Sequence, residues 1–277
     1  MDSPEAAAGT LNPELGRGHF EKIASLLYSA SRITMQEGKE ELVKSRLVKR
    51  MRALGLGGFD EYLSAVNESP AELYHMVDLL TTNKTSFFRE DAHFNFMKAR
   101  ILPELKGGRI RVWSAGCSSG EEPYTIAMVL REHFGAGALP DVRILATDLS
   151  KRVLEKAVAG VYDEENLRDV PVPLISKYFD CVDAKKPRKY SAKKSLRSLI
   201  TFAPLNLMEE WPMKGPFELI FCRNVMIYFD KPTQEKLVNR YWAMLKPGGY
   251  LFSGHSESLA GMNHSFRYVQ PAVHLKE

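Results

Sequence analysis

The stretch Ser114-Ala-Gly-Cys-Ser-Ser-Gly-Glu-Glu122 carries the residue types best suited to holding a ligand. Glycines at 116 and 120 permit a tight turn and let a ligand approach the backbone closely. The run lacks the GxGxxG spacing of a pyrophosphate cradle. It leads into Glu121 and Glu122 instead, and two carboxylates repel a pyrophosphate but suit an amino group or a sulfonium. A purely structural glycine turn is the competing reading. Asp148 ends the apolar run ILATD, where an acid can accept hydrogen bonds from both hydroxyls of a ribose. The rival role, capping a helix from Lys151, falls more naturally to Ser150. Arg223 and Asn224 close a second apolar run, FELIFCRN, and Asn206-Leu207 follows a third. Each pair alone is an ordinary turn; as a set they outline the rim of one crevice. Cys117, Cys181 and Cys222 are widely spaced with no CxxC pair, so reduced thiols are expected rather than disulfides. The seven histidines show no metal-ligand spacing, and no metal is expected.

The elements that must position these residues fall into two groups. Residues 1–18 read as a disordered leader without the basic and apolar regions of a signal peptide. Residues 19–80 read as helical: His19–Ala30, Glu40–Leu54, Phe59–Val66 and Pro70–Leu80. The second of these places Val43, Leu47, Met51 and Leu54 on one stripe and ends at Gly55. Its remaining arc carries Lys44, Arg46, Lys49, Arg50 and Arg52 with no acid among them. A solvated face is the plain reading; a docking face for an acidic helical partner is the other. Beyond Thr81, strands are expected at Arg109–Ala115, Val142–Thr147, Ile200–Ala203, Glu218–Cys222, Tyr250–Ser253 and Tyr268–Leu275. Helices are expected between several of them. Such alternation predicts an α/β fold with a parallel sheet covered by helices. The lysine-rich stretch at about 175–200 breaks the pattern and reads as a small inserted β-element. A net charge of +4 does not by itself imply nucleic acid. No apolar run is long enough to span a membrane, and a cytoplasmic location is expected.

Longer runs carry a resemblance. Asn83-Lys-Thr-Ser-Phe-Phe-Arg89 resembles the N-x-T-x-F-F-R signature of the CheR family, the chemotaxis receptor methyltransferases. RLVKRMRALGL (46–56), VWSAGCSSGEEPYTIAM (112–128), FCRNVMIYFD (221–230) and LKPGGYLFSGHSESL (245–259) resemble the same family, in family order. The resemblance implies a Rossmann-like class I sheet for S-adenosylmethionine (SAM), an N-terminal all-α receptor-docking domain (19–80) and an inserted β-subdomain. Residues 81–95 would then be a linker contributing to the cofactor site, and 96–277 the SAM-binding domain. It places Asn83, Thr85, Arg89, Gly116, Glu122, Asp148, Asn206, Leu207, Arg223 and Asn224 around SAM, or S-adenosylhomocysteine after transfer. Within that set, Glu122 would contact the methionine moiety and Asp148 the ribose. Tyr228 would stand near the reacting centre.

Methyl transfer to a glutamate carboxylate needs no general base, because the side chain, with a reference pKa of about 4.3, is already ionised at neutral pH. The site must supply alignment and partial exclusion of water. Arg89 and Tyr228 are expected to do this, as carboxylate-positioning cation and water-excluding wall. The implied partners are methyl-accepting chemotaxis receptors, met on their cytoplasmic helices by the five basic residues. The insert of some family members also grips a receptor's C-terminal peptide, although Ala184–Arg197 here has no glycine for a tight hairpin. A monomer is expected, with no nucleic acid bound. The alternatives are a receptor-binding adaptor without activity, a SAM methyltransferase for another protein, and an NAD-dependent oxidoreductase. The acids at 121–122 and the missing GxGxxG disfavour the last.

Overall fold

The computed structural model describes residues 13–105, 108–135 and 141–277, so most of the expected leader lies outside the described residues. The chain divides between Thr82 and Asn83 into two compact units.

The first unit is helical: α1 (Arg17–Ser31), α2 (Glu40–Leu54), α3 (Phe59–Glu68) and α4 (Pro70–Leu80). Ile23, Leu27, Leu47, Met51, Tyr62 and Met76 fill its core. The expected stripe on α2 buries Val43, Leu47 and Met51, but Leu54 at its end is exposed. Gly55 terminates the helix with φ +71°, a left-handed conformation that costs glycine little. Ser69 caps α4 by accepting the Glu72 N–H.

Arg46 and Arg50, on the basic arc of α2, are structural. Arg50 donates to Glu72 from Nε (3.0 Å) and Nη2 (2.5 Å), and Arg46 donates to the carbonyls of Leu79 (3.1 Å) and Thr81 (2.8 Å). Arg46 thus closes the carbonyl end of α4. The acid missing from the stretch between Lys44 and Arg52 comes from α4, 22 residues on from Arg50.

The hydrogen bond from Arg50 holds the Glu72 carboxyl below its ordinary value, against the upward push of burial. A carboxyl depressed in the folded state adds stability above its unfolded pKa of about 4.3, and that stability is lost as pH falls through the folded value. Glu72→Ala is therefore expected to cost on the order of 2 kcal/mol at neutral pH, with the difference from wild type shrinking below about pH 4. Melting curves at the two pH values check it; equal stability at neutral pH would remove the pair as a staple.

The second unit begins with the extended segment from Asn83, then α5 (Ala92–Phe96), which runs on through a π turn (Met97–Ile101) and a 3-10 turn (Leu102–Glu104). There follow β1 (Arg109–Ala115), α6 (Glu121–Phe134), β2 (Asp141–Asp148), α7 (Lys151–Ala159) and β3 (Val161–Asp163). Next come α8 (Val172–Tyr178), β4 (Phe179–Asp183), β5 (Lys189–Ala192), α9 (Lys194–Arg197) and β6 (Ile200–Pro204). The chain ends with β7 (Phe217–Cys222), α10 (Lys231–Met244), β8 (Leu245–Ser253), β9 (Arg267–Gln270) and β10 (Val273–Leu275).

Seven strands form the main sheet in the order β6-β2-β1-β7-β8-β10-β9. The first five pair in parallel, and β10 is antiparallel to both neighbours. β7 is buried along its whole length, as its apolar run Leu219–Cys222 requires in a covered parallel sheet, and the buried Glu218 pairs with Lys246 at 3.2 Å. Phe221 and Phe252 stack at 4.4 Å across β7 and β8.

Four features differ from expectation, the first being that the strand expected at Tyr268–Leu275 is two antiparallel strands, β9 and β10. The inserted sheet, β3-β5-β4, starts at Val161 rather than about 175, because three residues of β3 pair with β5. The β4–β5 hairpin forms without a glycine, since the connection from Ala184 to Arg188 is longer than a two-residue turn that needs one. The strand expected at Tyr250–Ser253 begins earlier, at Leu245, so Gly248 already lies within β8, where its N–H meets the Lys276 carbonyl at 2.7 Å.

Candidate active site

Strand order in the main sheet reverses between β1 and β7, with β2 and β6 beyond one and β8 beyond the other. Ligands of such sheets bind beyond the carboxyl ends of the strands at this switch point. There the chain places Gly116 after β1, Asp148 at the end of β2, Asn206 after β6, Arg223 after β7 and Gly254 after β8.

Arg223 is the hub. Its side chain is 2% exposed, and it pairs with Glu122 (Nη1 to Oε2, 3.1 Å) and Glu90 (Nη2 to Oε2, 3.2 Å). It also donates to the Arg89 carbonyl and lies over the Phe94 ring at 5.4 Å. Glu122 accepts a further bond from Ser114 Oγ at 2.7 Å. Glu90 Oε1 accepts from Asn224 Nδ2 (3.3 Å) and the His255 N–H (3.4 Å). Glu257 gathers the backbone N–H groups of Asn224 (2.8 Å), Gly254 (2.5 Å) and Ile227 (3.1 Å), fixing the turn that follows β7.

One guanidinium thus faces two carboxylates, with a third next to Asn224. Burial pushes Glu90 up, but Arg223 and Asn224 more than offset it and hold the carboxyl below its ordinary value. Burial pushes Glu122 up in spite of Arg223, and Glu257 up in spite of its three N–H donors. Arg223 Nε and Asn224 Oδ1 are buried with no hydrogen-bond partner among the described residues. Surplus negative charge and unpaired polar atoms are what a cationic, hydrogen-bonding ligand would complete.

The loop after β1 is built for close approach. Gly116 has φ +87°, and a Cβ there would lie 2.3 Å from Val225 Cγ2. Gly116 and Cys117 both donate to the Thr147 carbonyl, at 2.8 and 2.9 Å. Asp148 accepts the N–H groups of Ser118 (2.8 Å) and Ser150 (2.9 Å), while Ser150 itself caps α7 through Val153. Ser118 Oγ reaches back to the Asn83 carbonyl at 2.8 Å, and the Phe88 N–H to Thr125 Oγ1 at 3.2 Å. These contacts lay the segment from Asn83 along the rim. Phe88, Glu90, Ser118 and Asn224 all adopt left-handed φ, from 49° to 59°. Strain of about 1–3 kcal/mol per residue persists where the surroundings enforce it, and such residues gather at functional sites.

Of the residues singled out in the sequence, Gly116, Glu122, Arg223, Asn224 and the Arg89 backbone converge. The Arg89 guanidinium turns to the Lys84 carbonyl at 2.8 Å, and Thr85 is half-buried. Asn206 spends its amide on Glu209 (3.2 Å) and the Met208 N–H (3.0 Å). Leu207 is buried, and its carbonyl accepts Trp211 Nε1 at 3.2 Å, with Trp113 edge-on to Trp211 at 4.7 Å. Tyr228 is half-buried on the 3-10 turn Met226–Tyr228. Among the docking candidates, Lys49 and Arg52 are exposed and Lys44 half-buried. Glu90, Ser118 and Glu257 were not singled out. Glu90 directly follows the FFR run, and an acid beside an arginine in an aromatic stretch was the available signal.

A family model described as "CheR methyltransferase, SAM binding domain" matches residues 83–274, and one described as "CheR methyltransferase, all-alpha domain" matches 18–81. A "probable chemotaxis protein methyltransferase" of Rhizobium etli is 44% identical over 243 residues, covering 85% of this chain and 91% of its own length. The chemotaxis protein methyltransferase of Borreliella burgdorferi is 39% identical over 277 residues, covering 96% of each chain. That of Escherichia coli is 39% identical over 255 residues, covering 91% of this chain and 88% of its own.

Proposed function

The chain belongs to the CheR methyltransferase family, and on that footing we propose that it methylates glutamate side chains of chemotaxis receptors, in the cytoplasm, from SAM. The observation that carries the reading is Arg223, buried between Glu90 and Glu122 at the switch point of the sheet. When bound, SAM supplies a methyl group on a cationic sulfur that leaves with its electron pair. Glu122 and Glu90 would balance the ammonium and sulfonium charges, Asp148 would take the ribose hydroxyls, and Asn206, Leu207 and Asn224 would flank the adenosine. Asn83 and Thr85 would line the same pocket. The glutamate arrives already ionised, so no side chain has to remove a proton. Tyr228 would exclude water from the reacting oxygen.

Arg89 would orient a carboxylate. It is half-buried, and its guanidinium is held by the Lys84 carbonyl. Arg89→Ala is expected to lower turnover about 100-fold with little change in melting; near-normal kcat would end this role.

Lys44, Lys49 and Arg52 are assigned the docking of acidic receptor helices, leaving Arg46 and Arg50 to the fold. Replacing these three by alanine should raise KM for receptor, flatten its salt dependence and leave kcat unchanged. An unchanged KM would move docking elsewhere.

The reading as a whole is tested with methyl-labelled SAM and receptor-containing membranes, followed by alkali and capture of volatile methanol. Base-labile label on receptor bands is the expected result. Label that resists alkali, or appears only on other proteins, would overturn the glutamate assignment. SAM binding without any transfer would point to an adaptor.

A further inference from the structure

We propose that Glu90, His93 and His255 form a site for a divalent transition-metal ion of the zinc class. One ligand atom from each of the three lies within 4.8 Å of the others. His93 is completely buried, yet neither Nδ1 nor Nε2 has a hydrogen-bond partner among the described residues. A buried imidazole left this way calls for an explanation. Its Nδ1 stands 3.6 Å from Glu90 Oε2, too far for a hydrogen bond, and its ring meets His255 edge-on at 4.9 Å.

The donor set fits. Two imidazoles and a carboxylate are common zinc ligands, with bonds of about 2.0–2.2 Å that leave a fourth position open. Donors around one tetrahedral ion would stand roughly 3.4 Å apart by that geometry, so atoms now within 4.8 Å of one another close by up to about 1.4 Å on binding. His255 is exposed and can swing inward, whereas Glu90 and His93 are held by the fold. Glu90 Oε1 already serves Asn224 and the His255 N–H, leaving Oε2 between Arg223 and His93. The positive neighbour is Arg223, but Glu90, Glu122 and Glu257 outnumber it, so the surroundings do not repel a cation. Glu90 and His93 are three residues apart and His255 lies 162 further on. No spacing in the sequence could reveal the cluster, and the expectation of no metal rested on spacing.

An ion on Oε2 competes with Arg223 for Glu90. On the reading of this crevice as the SAM site, two cationic ligands would then weaken each other reciprocally.

The test uses the untagged full chain, stripped with chelator and titrated with Zn2+ alone by calorimetry and with Co2+ alone by visible absorption. One ion per chain is expected, with Co2+ bands of a nitrogen- and oxygen-ligated site. His255→Gln should weaken it at least tenfold, roughly the scale on which even groups behind the ligands act, without lowering the melting temperature. His93→Gln should remove it, while His133→Gln and Cys181→Ser leave it intact. No saturable binding, full binding by His255→Gln, or loss in His133→Gln or Cys181→Ser would each overturn the site. SAM binding is measured separately on the metal-free chain, so failure of the cofactor reading and failure of the metal site are told apart. Zn2+ should raise the Kd for SAM in wild type and not in His255→Gln; equal Kd values in wild type overturn the coupling.

Discussion

Arg223→Met is expected to abolish methyl transfer and SAM binding together, and to destabilise the second unit by about 3–5 kcal/mol. The methionine fills much of the same volume but leaves Glu90 and Glu122 facing each other across a buried space. Two carboxylates so placed cannot both stay ionised, and one takes up a proton. Glu122 is the one expected to do so, because burial already raises its pKa whereas Glu90 is held below its ordinary value. The loss of stability should therefore be greater at neutral pH than near pH 5. Adding Glu122→Gln to Arg223→Met removes one of the two charges and should recover part of the melting temperature, with no recovery of SAM affinity. Calorimetric SAM titrations beside thermal melts separate the two effects. Wild-type SAM affinity in the single variant would show that the guanidinium serves the fold alone.

Asp148→Ala is expected to raise the Kd for SAM by at least about 100-fold. The residue holds two backbone N–H groups, from Ser118 and Ser150. Hydrogen bonds to a charged group are worth about 1.5–3 kcal/mol each, and about 1.4 kcal/mol is a factor of ten. On the proposed role of Asp148 the loss has two sources, a ribose contact and the register of the loop from Gly116 to Gly120. A deoxyribose analogue of S-adenosylhomocysteine separates them. Wild type should bind it much more weakly than the parent compound, and Asp148→Ala should bind the two almost equally. A variant that still discriminates between them would leave the ribose to another residue.

The parts of this design that reside in local sequence could be read directly. β1, β2 and β7 each carry an apolar core, and β2 and β7 lead into the polar residues Asp148 and Arg223-Asn224, so both the strands and part of the rim were visible. Ser150 and Gly55 likewise act within their own turns. What escaped depends on residues distant in the chain. β3 is three residues long and is a strand only because Lys189–Ala192 pairs with it. α5 runs into a π turn and then Pro103, which spoils the regular helical period. Arg50 looked like part of an exposed basic face until Glu72 arrived from another helix. Glu90 and Glu257 each draw a decisive partner from afar: one meets Arg223 from 133 residues away, the other the Asn224 N–H from 33. Charge pairs of this kind leave no period and no motif.

Leu207 hands its carbonyl to the indole N–H of Trp211, which packs edge-on against Trp113 in the core of the sheet. A ligand seated against Leu207 therefore disturbs a hydrogen bond to a chromophore. Only one further tryptophan, Trp242, contributes background, and it packs against Phe266 instead. The intrinsic fluorescence of the unlabelled protein should then shift in wavelength or yield as a ligand fills the crevice beside Leu207, giving an optical titration that needs neither radioactivity nor receptor.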